Sequence, residues 1–144
     1  MTTLGGPMAE PDERAVRALF AAQAAAWAAG DGSAFADTFT DDADFVSVFG
    51  EFVQGRAELA TVMQAGFDGM MRGTCLSEPD GTSLRFPTRD TAVLVTYGVR
   101  PLPPGAPRTE PQERSIQIRT AVRTERGWRF TSFQNTRIAG RPPR

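Results

Sequence analysis

Residues Gly127 to Arg137 read "GWRFTSFQNTR". Aromatic and hydroxyl side chains alternate here, and a "TERG" turn at 124–127 precedes them. This is the pattern of a last β-strand, expected over about 128–138. Alternation puts Phe133, Asn135 and Arg137 on one face and Ser132, Gln134 and Thr136 on the other. A bulge would exchange those sets. Asn135 is the one asparagine in the chain, and the strand ends on amides rather than on an acid or a base.

The rest of the chain sets the context for that strand. Its 144 residues fit one domain with a single core. The hydrophobic share of 40% and charged share of 23% are those of an ordinary globular chain. No apolar run reaches the roughly 20 residues that a membrane span needs. The opening "MTTLGGPMAEPDE" has neither a basic region nor an apolar core, so residues 1–10 are expected to be a disordered lead, not a secretion signal. The domain is expected over 11–138, with a tail over 139–144. Cys75 is the only cysteine, which allows no internal disulfide and suits a reducing cytoplasm.

All 16 basic residues are arginine, and histidine is absent. Without lysine there is no Schiff base. Without histidine there is no Ser-His or Cys-His pair, and the commonest transition-metal ligand is missing. "TDDAD" at 40–44 is the one carboxylate cluster, and neither metal nor cofactor is expected. Residues 1–84 hold 13 acids and 4 arginines, whereas 85–144 hold 4 acids and 12 arginines. Those late arginines alternate along strands, as at Arg119, Arg123, Arg129 and Arg137. That spacing reads as a solvated sheet face complementing acidic helices, rather than a nucleic-acid surface.

"PDE" at 11–13 starts a helix, with proline in the first turn and acids at the positive dipole end. It should run to Ala29, stop at Gly30, and present Val16, Phe20, Gln23 and Trp27 on one face. Asp31 caps a second, short helix, "GSAFADTF". "DFVSVFG" at 44–50 alternates as a strand, with "EFVQG" as a short return strand. A third helix carries Leu59, Val62, Met63, Phe67 and Met70 as one stripe. Strands are expected over about 74–86, 91–99 and 112–124, with a proline-rich loop at 100–111 that reads as a stiff hairpin connection or a lid. Helices early and strands late make an α+β fold. A strongly curved, mostly antiparallel sheet wrapped around three helices would leave a cone with an open mouth.

The ends of these elements carry a family resemblance. "WAAGD" at 27–31, "FTDDADFVSVFGEFVQGRAEL" at 39–59 and the terminal "GWRFTSFQNTR" resemble the nuclear-transport-factor-2-like, or SnoaL-like, superfamily. "VFG", the Gly55-Arg56 opening of the third helix and "FQNTR" resemble its SgcJ/EcaC family, whose members are associated with enediyne polyketide biosynthesis in actinomycetes. The resemblance implies a cone with a deep apolar pocket, and a homodimer built on the sheet. It does not fix the chemistry, because one fold hosts many reactions.

Alignment with the ketosteroid isomerases of this superfamily puts their carboxylate base at Ser47, their tyrosine near Gln23 and their proton-donating acid near Arg119. None of the three functional groups is retained. The His–Asp arrangement of SnoaL-like cyclases cannot be built without histidine. What remains is a set of fixed donors in an apolar pocket: Phe45, Ser47 and Phe49 from the first strand, and Tyr97 with Val93, Val95 and Val99 from the strand at 91–99. Gln117 and Arg119 come from the next strand, Phe133 and Asn135 from the last, with Gln134 if a bulge intervenes. Gln23 and Trp27 come from the first helix.

Such a pocket suits a long conjugated molecule with a polar end. Arg119 can hold a carboxylate or a developing enolate oxygen, Asn135 can donate to it, and Ser47 or Tyr97 can relay a proton. Asp42 and Asp44 are the nearest candidate bases. Three functions fit: an auxiliary enzyme assisting cyclisation or isomerisation of a polyketide intermediate, a protein that binds such an intermediate without changing it, or a dimer that docks on a polyketide synthase.

Overall fold

The computed structural model describes residues 9–104 and 114–139. Most of the proline-rich loop, and with it the question of a lid, lies outside the described residues, as do most of the lead and tail. Helix α1 (Ala9–Ala29) starts two residues before Pro11 and carries Glu10 and Asp12 in its first turn. It ends as expected at Gly30, whose φ of 67° is the left-handed conformation of a helix terminator. Gly30 N–H donates to Trp27 O at 2.9 Å and Asp31 N–H to Ala26 O at 3.0 Å, satisfying two of the last carbonyls. Asp31 then caps α2 (Gly32–Asp37) by accepting from Ala34 N–H.

Strand β1 (Phe39–Val46) begins five residues before the expected start, taking Phe39 from the helix predicted there. It turns at Ser47–Gly50 into β2 (Phe52–Gln54), with Gly50 N–H donating to Ser47 O and Ser47 N–H to Glu51 O. Helix α3 (Arg56–Asp68) buries Leu59, Met63 and Phe67, whereas Met70 lies past its end and is exposed. The strand expected over 74–86 divides into β3 (Cys75–Leu76) and β4 (Gly81–Thr88), separated by the segment containing Pro79. Strand β5 (Thr91–Val99) follows. The short β6 (Pro101–Leu102) pairs with β3. The chain closes with the hairpin β7 (Ser115–Thr124) and β8 (Gly127–Arg137).

The main sheet has six strands in the order β2-β1-β8-β7-β5-β4. It is mixed, because β1 runs parallel to β8 while the other neighbours are antiparallel. This corrects the expected strongly curved sheet: it is open-edged and not strongly curled. Its irregularities are local register shifts, four in number. The helices pack on one face, over a core that includes Phe35, Phe39, Leu59, Leu94 and Phe130. Phe35 sits at its aromatic centre, with ring centroids of Trp27, Phe39, Phe45 and Phe67 at 5.8–6.3 Å.

One of those shifts decides which side chains face the helices. Ala121 pairs with Phe130 and Thr120 with Ser132, so Thr131 is an extra residue in β8. Phe130 and Phe133 are three residues apart, and unbroken alternation would point them to opposite faces. The bulge absorbs that odd spacing. Both rings are buried on the helical side, and Phe133 stacks on Phe45 at 4.5 Å with ring planes 6° apart.

Candidate functional site

Between the helical face of the sheet and α1 and α3 lie two adjoining chambers of about 180 and 220 Å³. Trp27, Phe49, Met71, Leu76, Gln117 and Asn135 border both. The inner chamber is also lined by Gln23, Phe45, Ser47, Arg119 and Phe133. The outer one reaches Arg114 and Arg137. The walls are mostly apolar, with few polar groups converging inside.

Arg119 dominates the polar chemistry. It is 1% exposed, and among the described residues it has no acidic partner. Of the late arginines read as a solvated face, Arg119 is the one also expected in the pocket with Gln117, and alternation along β7 aims both inward. Its Nε donates to Gln23 Oε1 at 2.9 Å, Nη1 to Thr96 Oγ1 at 3.1 Å and Nη2 to Gln117 Oε1 at 2.7 Å. Thr96 in turn donates to Gln117 Oε1, and Gln23 Nε2 donates to Thr38 Oγ1. The guanidinium thus fixes the orientation of both amides, since only their oxygens can face it. Phe20 and Phe133 rings lie 4.8 Å from Cζ, and Phe130 lies 5.6 Å away. Burial pushes the Arg119 pKa down to about 9, which leaves it charged at neutral pH. Three of the five N–H donors of the guanidinium are occupied, all by neutral oxygens, and two are without a partner among the described residues.

Asn135 faces Gln117 across the β7–β8 pair. Its Oδ1 is buried and lacks a hydrogen-bond partner. A buried acceptor without a donor carries a desolvation cost that a ligand donor would relieve. Trp27 borders both chambers and is held by its Nε1–H donating to Thr74 Oγ1 at 2.9 Å.

The remaining expected site residues divide. Phe45 is a buried wall, and Phe49, 72% exposed, sits at the rim. Ser47 lines the inner chamber from the turn after β1 rather than from the strand. Its Oγ accepts from Phe49 and Glu51 N–H, so the hydroxyl oxygen organises the turn. Tyr97 is a correction: it lies 44% exposed and borders neither chamber, because Ala92, Leu94 and Thr96 take the inward positions of β5. Val93 and Val95 accordingly share the outward face with it. Gln134 is a second correction, since the Thr131 bulge leaves Phe133 and Asn135 inward and Gln134 exposed outside the cavity. Asp42 and Asp44 are exposed and line neither chamber.

Two site residues escaped the sequence reading. Thr96 sits in an apolar run whose alternation is ambiguous. Glu51, directly after the Ser47–Gly50 turn, is the one carboxylate among the described lining residues. Among the described residues no group of three His, Cys, Asp or Glu side chains is placed to hold a metal ion. Among them, too, no helix is long and apolar enough to cross a membrane.

Residues 10–134 match the model of the SnoaL-like domain. The chain belongs to that family. A domain of unknown function with a cystatin-like fold from Nostoc punctiforme is 31% identical, with 91% of this chain and 80% of that chain covered at a TM-score of 0.81. Aln2 from a Streptomyces species shares the fold at 19% identity, with 94% of each chain covered and a TM-score of 0.74. A candidate scytalone dehydratase from Novosphingobium aromaticivorans shares it at 14% identity, covering 92% of this chain and 87% of that one at a TM-score of 0.76. No protein of curated function matches the chain.

Proposed function

We propose that this SnoaL-like protein binds an apolar, polyketide-derived small molecule in the cavity and assists its cyclisation or isomerisation. It does so by positioning the molecule and polarising one carbonyl oxygen. The observation that carries this reading is Arg119: a buried guanidinium held by neutral groups, with two free N–H donors and no acid to neutralise it among the described residues. Negative charge developing on a ligand oxygen beside it would be stabilised strongly in so apolar a site. Asn135 orients the same molecule, and Ser47 and Glu51 stand at the mouth, where Glu51 is the available base. No cofactor is required. The SgcJ/EcaC resemblance extends the reading to an enediyne-type polyene as ligand, in the cytoplasm of an actinomycete. A homodimer on the uncovered sheet face, where Tyr97 and Ile118 are exposed, belongs to the same reading.

A second reading is a carrier that holds a reactive intermediate unchanged. It is favoured by the position of Glu51, exposed at the rim and not buried beside Arg119.

The test is to incubate purified protein with the lipophilic extract of a polyketide-producing actinomycete and identify retained compounds by mass spectrometry. Asn135→Ala and Arg119→Met are run alongside. The expected result is a ligand retained by wild type, lost by both variants, and returned chemically altered. For the isolated substrate, loss of Arg119 should slow turnover by about 10²-fold or more, and Glu51→Gln should abolish the proton-transfer step. A ligand returned unchanged identifies a carrier. No retained ligand removes both readings.

A further inference from the structure

The charge balance of the cavity defines the ligand more narrowly. A guanidinium withdrawn from water without a counter-ion is among the costliest groups a fold can hold. Here every protein contact described for Arg119 is neutral: two amide oxygens, one hydroxyl and three aromatic rings. The three hydrogen bonds hold it in one orientation, so the charge is neither neutralised nor left to move. Arg114, paired with Asp80 at 3.1 Å, and Arg137, whose guanidinium lies over the Phe49 ring at 5.9 Å, border the outer chamber. Glu51, the one carboxylate among the described lining residues, is not hydrogen-bonded or ion-paired to Arg119. The second unmet group, Asn135 Oδ1, requires a donor, not an anion. Arg119 and Asn135 stand on neighbouring strands two residues out of direct register, which sets their backbones roughly 7–8 Å apart.

Resting on the small-molecule reading above, we propose that the cavity selects ligands that arrive already singly negative: an apolar body with an anionic oxygen group for Arg119 and, at a second point on it, a hydroxyl or N–H for Asn135. A carboxylate and the enolate of an acidic enol share this chemistry. A neutral ketone of the same shape binds less tightly in its ground state, because it leaves the buried charge unbalanced, and it gains the full interaction only as its oxygen becomes enolate-like.

The test uses four rigid probes in isothermal titration calorimetry: 6-hydroxy-2-naphthoate, 2-naphthoate, and the neutral methyl ketone corresponding to each. 2-Acetyl-1,3-cyclohexanedione, an acidic enol, distinguishes enolate from carboxylate as the source of charge. Wild type should bind hydroxynaphthoate at least tenfold more tightly than its ketone. That preference should vanish in Arg119→Met and in Gln23→Glu, which supplies a carboxylate from the protein itself. Circular dichroism confirms that each variant is folded, and Gln23→Glu leaves the guanidinium in place if Arg119→Met does not fold. The hydroxyl of the probe should improve binding in wild type but not in Asn135→Val.

Ketone and acid binding equally in wild type would overturn the anion requirement while leaving a small-molecule pocket. A preference that persists in both Arg119→Met and Gln23→Glu would also overturn it, by placing the anion at the rim arginines. Failure of all the probes to bind would overturn the inference and the pocket reading together.

Discussion

Arg119 Nε donates to Gln23 Oε1 at 2.9 Å, joining β7 to α1 across 96 residues of chain inside the core. The bond does two jobs: it satisfies a buried charged donor and it holds the helix against the sheet beside the cavity. Gln23→Leu is expected to lose about 1–3 kcal/mol in urea unfolding, because the guanidinium stays and one N–H is orphaned. Arg119→Met should cost less, since it removes the buried charge itself, and Gln23 and Gln117 keep their bonds with Thr38 and Thr96. The reverse order of stabilities would contradict this account of the site.

A second clasp closes the other end of the sheet. Arg123 Nη1 and Nη2 grip the Asp12 carboxylate at 3.0 and 2.9 Å, and Trp128 Nε1–H donates to it at 3.2 Å. The hydrogen bond from Arg123 is the chief reason that the Asp12 pKa is lowered. A carboxyl with a depressed folded pKa adds stability above its unfolded value, about 3.9. That stability is lost as pH falls from there through the lower folded value. Melting temperature measured from pH 7 down to pH 2.5 should therefore fall more steeply for wild type than for Asp12→Asn. At pH 7 the variant should be weaker by about 1 kcal/mol, because the pair is partly solvated.

Gly32 is pressed against α3. A Cβ there would stand 2.7 Å from both Ala60 O and Gln64 N, which are backbone atoms that cannot swing aside. Gly32→Ala should destabilise by about 1–3 kcal/mol through separation of α2 from α3. Gly81→Ala, where nothing lies within 4 Å, should stay within about 0.5 kcal/mol of wild type. Thermal melts of the two variants side by side test the contrast.

Trp27 borders both chambers, whereas the other tryptophan, Trp128, packs with Phe86 and Arg123 away from them. In Trp128→Phe the remaining emission reports the cavity alone. A saturating ligand should change it strongly and shield it from acrylamide. Unchanged Trp27 quenching in the presence of bound ligand would place that ligand elsewhere.

Much of this was legible in the chain, for physical reasons that differ by element. Gly30 and Asp31 mark the α1–α2 corner because their conformational and capping preferences act locally. Gln117, Arg119, Phe133 and Asn135 line one chamber because alternation holds along β7 and, past the Thr131 bulge, along the end of β8. The run "AVLVTYGV" is apolar on both faces, so alternation could not say that Thr96 points in and Tyr97 out. Ser47 alternates with Phe45 and Phe49 yet belongs to a turn that hydrogen bonding to Glu51 fixes. The state of Arg119 was beyond reach, since the lack of an acidic partner among the described residues is a property of several elements assembled together.

The bulge at Thr131 lets two halves of β8 that are out of phase in sequence come into phase in space. Before it, Trp128 and Phe130 serve the core; after it, Phe133 and Asn135 serve the cavity. The strand is therefore unevenly tolerant of a change in length. Removing Thr131 would restore plain two-residue stepping, leave Ser132 opposite Thr120, and keep Phe133 and Asn135 turned to the helices, at the loss of the hydroxyl contact between Thr131 and Thr40. Removing Gln134 instead would turn Asn135 outward and bring Thr136 into its place. A single-codon deletion at the bulge thus keeps the facing of the pocket side chains, whereas one three residues later reverses it for Asn135.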